Sequence, residues 1–200
     1  MARNSTPAPI LTLSLSKIRE YVPSDATALA FQCNNHNISQ WLTNAFPHPY
    51  TVQDAHDWIN RNISIAAYGL PENFLIVDPT TDSAIGGIGI KPGEDISTHT
   101  AEIGYWLGEE YWGQGIISEA LPAFTNWVWR NREVERLWAG VFDGNGASRR
   151  LLEKAGYYYE GLMRGHVLKE GIIKDLHIYG ITRADTTHEG ERLREPGVTV

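Results

Sequence analysis

The chemically suggestive part of this sequence is the run Gly104-Tyr-Trp-Leu-Gly-Glu-Glu-Tyr-Trp-Gly-Gln-Gly-Ile-Ile-Ser-Glu-Ala120. It reads as a strand, a short acidic turn, a loop containing Gly113 and Gly115, and the start of a helix. A glycine loop entering a helix bares several backbone N–H groups at the positive end of the helix dipole. Such a nest binds phosphate without Lys or Arg, and Ser118 in the first turn adds a hydroxyl donor. Turn glycines before a helix give the same letters, so the loop alone does not decide the matter. It is not a P-loop, because no Gly-Lys-Ser/Thr follows. Nor is Gly87-Ile-Gly-Ile-Lys-Pro-Gly93 a dinucleotide fingerprint, since Pro92 and a hairpin follow it instead of a helix.

The surrounding periodicities say what must hold this loop. Leu11, Leu13 and Leu15 alternate with polar residues, the period of a half-buried strand. Helical stretches follow over 25–62, including one over Asp54–Asn62 with Trp58 and Ile59 inward. The Pro47 and Pro49 pair breaks the chain between them. Phe74–Val77, Ala84–Ile90 and Thr98–Leu107 read as strands, joined by the turn chemistry of Asp78–Asp82 and Lys91–Asp95. From Gly115 the apolar spacing changes to fours and threes (Ile117, Leu121, Phe124, Val128), a helix that Pro122 should bend. Leu137–Phe142 is a strand. Asp143 or Asn145 caps a further helix that Gly156 stops. Tyr157–Glu160 and Asp175–Ile181 complete the strands. The layout is α+β, with a loose arm over 1–9, one domain over 10–183 and a polar tail from Ala184 that reads as disordered.

The chain has 200 residues, enough for one self-supporting core. Its 17 Lys+Arg against 24 Asp+Glu leave a net charge of −7. That balance argues against broad contact with nucleic acid or an anionic membrane, both of which want a basic face. The single cysteine, Cys33, cannot form an internal disulfide. No apolar run reaches the ~18 residues of a membrane helix, and the N-terminus has no secretory apolar core, so the expected compartment is the cytoplasm. The seven histidines show no metal spacing, and no metal is expected.

Trp112-Gly-Gln-Gly-Ile-Ile117 resembles the Q/R-x-x-G-x-G/A pyrophosphate loop of GNAT-fold, acetyl-CoA-dependent N-acetyltransferases. The order of elements over roughly 10–182 supports this. Four stretches are similar to the RimJ/RimL branch, which acetylates ribosomal-protein N-termini. They are Phe46-Pro-His-Pro-Tyr-Thr51, Ala101-Glu-Ile-Gly-Tyr-Trp-Leu107, Asn145-Gly-Ala-Ser-Arg-Arg-Leu-Leu-Glu-Lys-Ala-Gly-Tyr157 and Glu160-Gly-Leu-Met-Arg164. The resemblance implies a GNAT fold: a central mixed, mostly antiparallel sheet of about seven strands with about four helices. The sequence departs from the family loop at both ends, with Trp112 where Gln or Arg opens it and Ile117 where Gly or Ala closes it. The bulk of Ile117 is expected to shift the pyrophosphate slightly.

What the resemblance implies for the site is specific. Acetyl-CoA is the cosubstrate. The amides from Gly113 through Gln114, Gly115, Ile116 and Ile117 to Ser118, opened by Trp112, face its phosphates. Tyr105, Trp106 and Leu107 pair with the pantetheine arm, the Leu107 N–H holding the thioester oxygen. Asn145 matches the family's pantetheine-touching Asn and is equally a helix cap; Ser148 and Arg150 follow on the same helix. The tyrosine that many relatives use as acid is replaced by Leu152, so Ser148 is carried over as the acid. The carboxylate that relatives place on the preceding strand is replaced by Gly140, which leaves Glu102 as the base and His166 as the runner-up. Ordinary surface or core roles are the competing reading for both. The acceptor implied is a primary amine (a protein or peptide N-terminus, an amino acid or a small amine), acetylated by direct transfer. The Phe46–Tyr50 loop is a candidate wall of its slot. A homodimer is compatible with this reading. The alternative is a GNAT-fold module that binds CoA without turnover.

Overall fold

The computed structural model describes residues 7–69 and 71–187. Its strands are β1 Leu11–Thr12, β2 Lys17–Arg19, β3 Asn73–Val77, β4 Ala84–Pro92, β5 Thr100–Leu107, β6 Arg136–Phe142, β7 Tyr158–Lys169 and β8 Ile172–Thr182. Its helices are α1 Ala26–Cys33, α2 His36–Ser39, α3 Val52–Tyr68, α4 Ile116–Asn131, α5 Gly146–Lys154 and α6 Arg183–Thr187. The strands form one eight-stranded sheet in the order β1-β2-β3-β4-β5-β6-β8-β7. All neighbours are antiparallel except β5 and β6.

The fold is α+β, with eight strands and six helices among the described residues where about seven and four were expected. Part of the surplus comes from the N-terminus. The Leu11–Leu15 alternation yields only β1, because the chain turns at once, Leu13 N–H bonding Ser16 O at 2.9 Å, and returns as β2. The last two strands are far longer than the segments 157–160 and 175–181. Almost every residue of β7 is exposed or half-exposed, and its register with β8 breaks between Tyr159 and Gly161 and again between Met163 and Val167. An edge strand that buries neither face carries no period-two signal.

Two apolar layers sandwich the sheet. On one face α4 and α5 cover Phe74, Ile88, Ile103, Leu137, Ala139 and Tyr179. On the other, α1 and α3 cover Leu75, Val77 and Ala84. In α4 the residues Ile117, Leu121, Phe124 and Val128 are all buried, as their spacing requires. That helix continues through Pro122 as a single element. α3 runs six residues beyond Asn62 and starts at a capping box, Thr51 Oγ1 accepting from Asp54 N–H while Asp54 accepts from Thr51 N–H. The stretch of the tail that is described, 184–187, lies in α6. Residues 1–6 of the arm and 188–200 of the tail lie outside the described residues.

Candidate active site

The site begins where β5 and β6 part. Their parallel ladder covers only Thr100↔Arg136, Ala101↔Leu137 and Glu102↔Trp138, while β5 continues to Leu107. Thr100 O accepts from Gly93 N–H at 2.8 Å, and Gly108 N–H donates to Ile85 O at 2.8 Å. Backbone groups alternate between the two edges of a strand, so even-numbered residues of β5 bond β4 and odd-numbered ones point the other way. The amides of Tyr105 and Leu107 therefore face the widening gap, beyond Trp138, the last residue of β6 that pairs with β5 before the strands diverge.

Both faces of the gap are bridged. On the α5 face Tyr105 Oη lies 2.9 Å from Ser148 Oγ, tying β5 to the helix that follows β6. Burial pushes the Tyr105 hydroxyl up to about 12, against the hydrogen bond to Ser148, so its proton is held firmly. Asn145 is the cap of α5, its Oδ1 accepting from Ser148 N–H at 3.1 Å, which fixes the serine in the first turn. On the opposite face the segment between α2 and α3 spans the gap. The Phe46 ring meets Trp106 edge-on at 6.1 Å, and the Trp41 ring sits against Gly144, just past β6.

At the mouth of the gap lies the glycine loop. Gly113 has φ 74° and Gly115 φ 83°, left-handed values that turn successive amides toward one side. Among the described residues, no hydrogen-bond partner is made by the backbone N–H of Gly113, Gln114, Gly115, Ile116, Ile117 or Ser118. Six consecutive free donors at a helix N-terminus can cradle an anion. The Ile117 side chain points into the core at 6 % exposure and not at this surface, so its bulk displaces nothing there. Trp112 is half-exposed, and its indole N–H donates to Leu107 O at 2.8 Å. It thereby joins the loop to the end of β5 and leaves the Leu107 amide free.

Three carboxylates flank the loop, each bound by amide donors. Glu109 accepts from Asn35 Nδ2 at 2.6 Å and from Asn37 Nδ2, which holds its carboxyl below the usual range. Glu110 accepts from Gln32 Nε2 at 2.6 Å. Glu119 accepts from the amides of Ser14 and Leu15, both at 2.9 Å. These contacts clamp α1, α2 and the β1–β2 turn around the loop. None was visible in sequence, since they join residues 72 to 105 positions apart.

Glu102 lies at the apex of the gap, on the face of α1 and α3, half-buried. Desolvation pushes its carboxyl up, partly offset by Lys91 opposite on β4. His166 is exposed and falls in the second irregularity of β7, three strands from β5, or about 14 Å at ~4.8 Å per strand. Arg150 is exposed on α5. Leu152 is fully buried, and the Leu176 side chain fills the space over Gly140. A splayed parallel pair with an amide nest at its mouth and a carboxylate at its apex fits a long ligand that enters with its anionic group last and brings its other end toward that carboxylate.

Residues 17–158 match the acetyltransferase (GNAT) domain, which is most of the chain. The protein belongs to the GNAT acetyltransferase family. It is 27% identical over 169 residues to the uncharacterised N-acetyltransferase p20 of Bacillus licheniformis, covering 84% of this chain and 93% of that one. It is 30% identical over 142 residues to the ribosomal-protein-serine acetyltransferase of Escherichia coli, covering 70% and 78%. Among solved structures it resembles RimL, the ribosomal L7/L12 α-N-protein acetyltransferase in complex with coenzyme A, with TM-score 0.75, 23% identity and coverage of 88% and 98%. It also resembles Mycobacterium smegmatis RimJ, with TM-score 0.74, 21% identity and coverage of 85% and 83%. As a GNAT member it is an acyltransferase. Of the residues expected at its site, the fold brings Tyr105, Leu107, Trp112, the 113–118 amides, Asn145 and Ser148 around one gap with Glu102 at its apex, and leaves His166 outside.

Proposed function

We propose that this acetyltransferase moves the acetyl group of acetyl-CoA to an unhindered primary amine, an α-amine at a protein or peptide N-terminus before others, within a ternary complex. The observation that carries this is the gap between β5 and β6, with free amides along one edge and six more at its mouth. The names of its relatives, which include a ribosomal-protein-serine and a ribosomal-protein-alanine acetyltransferase, favour the α-amine. So does chemistry: an α-amine near pKa 7.7–8.0 needs less help to lose its proton than a lysine near 10.4.

Acetyl-CoA supplies an activated acetyl thioester; the rest is done by residues of the chain. The 113–118 amides hold the pyrophosphate, and the edge of β5 pairs with the pantetheine arm as an added half-strand. The Tyr105 and Leu107 amides both face the thioester. Tyr105 lies three residues from Glu102, or about 10 Å, and Leu107 five, or about 16 Å. Only the nearer amide can stabilise the thioester oxygen while Glu102 still reaches the attacking amine through water. Glu102 takes the proton that the amine loses as the C–N bond forms. Ser148 gives a proton to sulfur as the C–S bond breaks, taking one from Tyr105 Oη along their 2.9 Å hydrogen bond in the same step, and the tyrosine, whose raised pKa makes it a strong base once deprotonated, regains its proton from solvent. A covalent acetyl-cysteine is disfavoured, since Cys33 is buried at 1 % exposure and burial pushes its thiol up.

Calorimetric titration with acetyl-CoA, with dephospho-CoA for comparison, tests the cofactor. Micromolar binding followed by thiol release in the presence of N-terminal peptides is the expected result. No binding would overturn the proposal, while binding without turnover of any amine would make the protein a CoA-holding module.

A further inference from the structure

Gly104 occupies an unusual place. It lies mid-way along β5, a central strand of the sheet, yet it is exposed, and a Cβ added to it would meet no atom within 4 Å. Interior strand positions are normally covered on both faces, and a glycine there weakens the strand for want of a side chain to pack. The other glycines on this face behave in the ordinary way. The space over Gly87 is filled by the Trp106 indole, that over Gly89 by Asn73 and that over Gly140 by Leu176. Only at Gly104, among these four, is the space open.

What surrounds the opening is chemically particular. Glu102 and Trp106 are its neighbours on the same face of β5, each two residues away, or about 7 Å. Trp138 stands across from Glu102 on β6, and Phe46 leans on Trp106 from above. The next residue along is Tyr105, whose amide faces the gap. The opening is therefore one residue wide, has a carboxylate at one end and aromatic rings around it, and abuts the amide assigned to the thioester.

We propose that Gly104 is the residue that admits the acceptor: its missing side chain is the space through which the amine reaches the thioester, and it selects amines whose amine-bearing carbon carries hydrogen or a small group. This deepens the function proposed above and rests on it. Glu102 faces the arriving ammonium, the rings suit a cation and its slender carbon stem, and the ~7 Å spacing to either neighbour leaves no room for a large branched substituent.

Position 104 lends itself to a clean test. An added Cβ meets no atom of the fold within 4 Å, and valine suits a strand better than glycine does, so Gly104→Ala and Gly104→Val should leave the melting temperature equal or higher. The Tyr105 and Leu107 amides point elsewhere, so affinity for CoA itself should not change. The probes are CoA, and CoA joined through an acetyl bridge to the amine of glycinamide or of leucinamide, titrated calorimetrically into wild type and both variants.

Wild type should bind the glycinamide conjugate at least about tenfold tighter than CoA and the leucinamide conjugate markedly less well. Gly104→Ala should keep part of the glycinamide gain. Gly104→Val should lose about 5–150-fold and bind both conjugates no better than CoA, the range that about one to three kcal/mol of overpacking corresponds to. Equal binding of the glycinamide conjugate by wild type and Gly104→Val overturns the inference, as does a wild type that binds it no tighter than CoA. Equal affinity of wild type for the two conjugates overturns the size selection. If CoA does not bind at all, the function proposed above falls, which is distinct from a loss confined to the conjugates.

Discussion

Gly115 offers a measurement in which backbone strain must surface in one of two places. Its φ of 83° lies in the left-handed region, and an added Cβ would meet only Leu15 Cδ1, at 3.7 Å, an ordinary contact. Gly115→Ala therefore introduces no collision, and its whole cost is the conformational penalty of a side chain in that region, about 1–2 kcal/mol. If the loop keeps its shape, the cost falls on folding, and at 2–4 °C per kcal/mol for a chain of this size the melting temperature drops by about 2–8 °C. If the loop instead relaxes to negative φ, the amides at the start of α4 turn away, and the cost appears as an acetyl-CoA dissociation constant about 5–30-fold weaker. The two losses, from calorimetric unfolding and calorimetric titration, should sum to about 1–2 kcal/mol whichever way they divide. Gly115→Asn should show a smaller sum, because asparagine tolerates the left-handed region. A variant with alanine at 115 that melts and binds acetyl-CoA as wild type does, with a sum below about 0.5 kcal/mol, would refute both the strain and its place in the site.

Other outcomes follow from the same geometry. Desolvation raises the Glu102 pKa, so the carboxylate needed as base forms only above the usual value near 4.3, and transfer should fall away as pH drops through the raised value. Glu102→Gln should remove that limb from the pH–rate profile. It should also stabilise the protein at neutral pH and not below pH 4, since a raised carboxyl pKa costs folding stability only where the group must ionise; an unchanged pH profile would assign the base elsewhere. Tyr105→Phe removes the hydroxyl that holds Ser148 Oγ at 2.9 Å. It should lower kcat with little change in acetyl-CoA affinity, by less than Ser148→Ala, whose loss of a proton donor is worth about 100-fold or more, and the double variant should be no worse than Ser148→Ala alone; additive losses would exclude a relay. Arg19 and Asp25 form a two-pronged ion pair at 2.9 and 2.8 Å, with exposures of 2 % and 7 %. Asp25→Ala leaves the buried guanidinium with Asp82 as its one carboxylate, beside the Glu20 carbonyl, and should cost about 3–5 kcal/mol in chemical denaturation; a loss under about 1 kcal/mol would show that these partners suffice.

Local physics made much of the protein readable from its letters. The helix from Gly115 and the helix after Asn145 were legible because apolar spacing and a cap act within a few residues of chain. The strands read at 74–77, 84–90 and 98–107, which the fold places at Asn73–Val77, Ala84–Pro92 and Thr100–Leu107, were legible because buried strands carry apolar runs bounded by turn residues. The glycine loop was legible because left-handed backbone at Gly113 and Gly115 demands glycine. The length of β7 was not, since an exposed edge with two irregularities has no period to read.

What only the tertiary structure decided depends on residues far apart in sequence. From the chain alone Glu102 is a carboxylate on a strand; its raised pKa arises from burial at the apex of a gap that exists only because β5 and β6 diverge. Ile117 reads as bulk beside a phosphate until helix phase turns it into the core. Trp112 reads as a missing glutamine or arginine until its indole finds Leu107 O. Asn145 reads from the chain as a cap or a ligand contact alike, and the fold shows the cap made by Oδ1 while its side-chain Nδ2 makes no hydrogen bond among the described residues. Gly104 was one letter of a motif, and its meaning lies in what is absent above it: neighbours in sequence set a residue's backbone, but open space is set by every element that could have filled it.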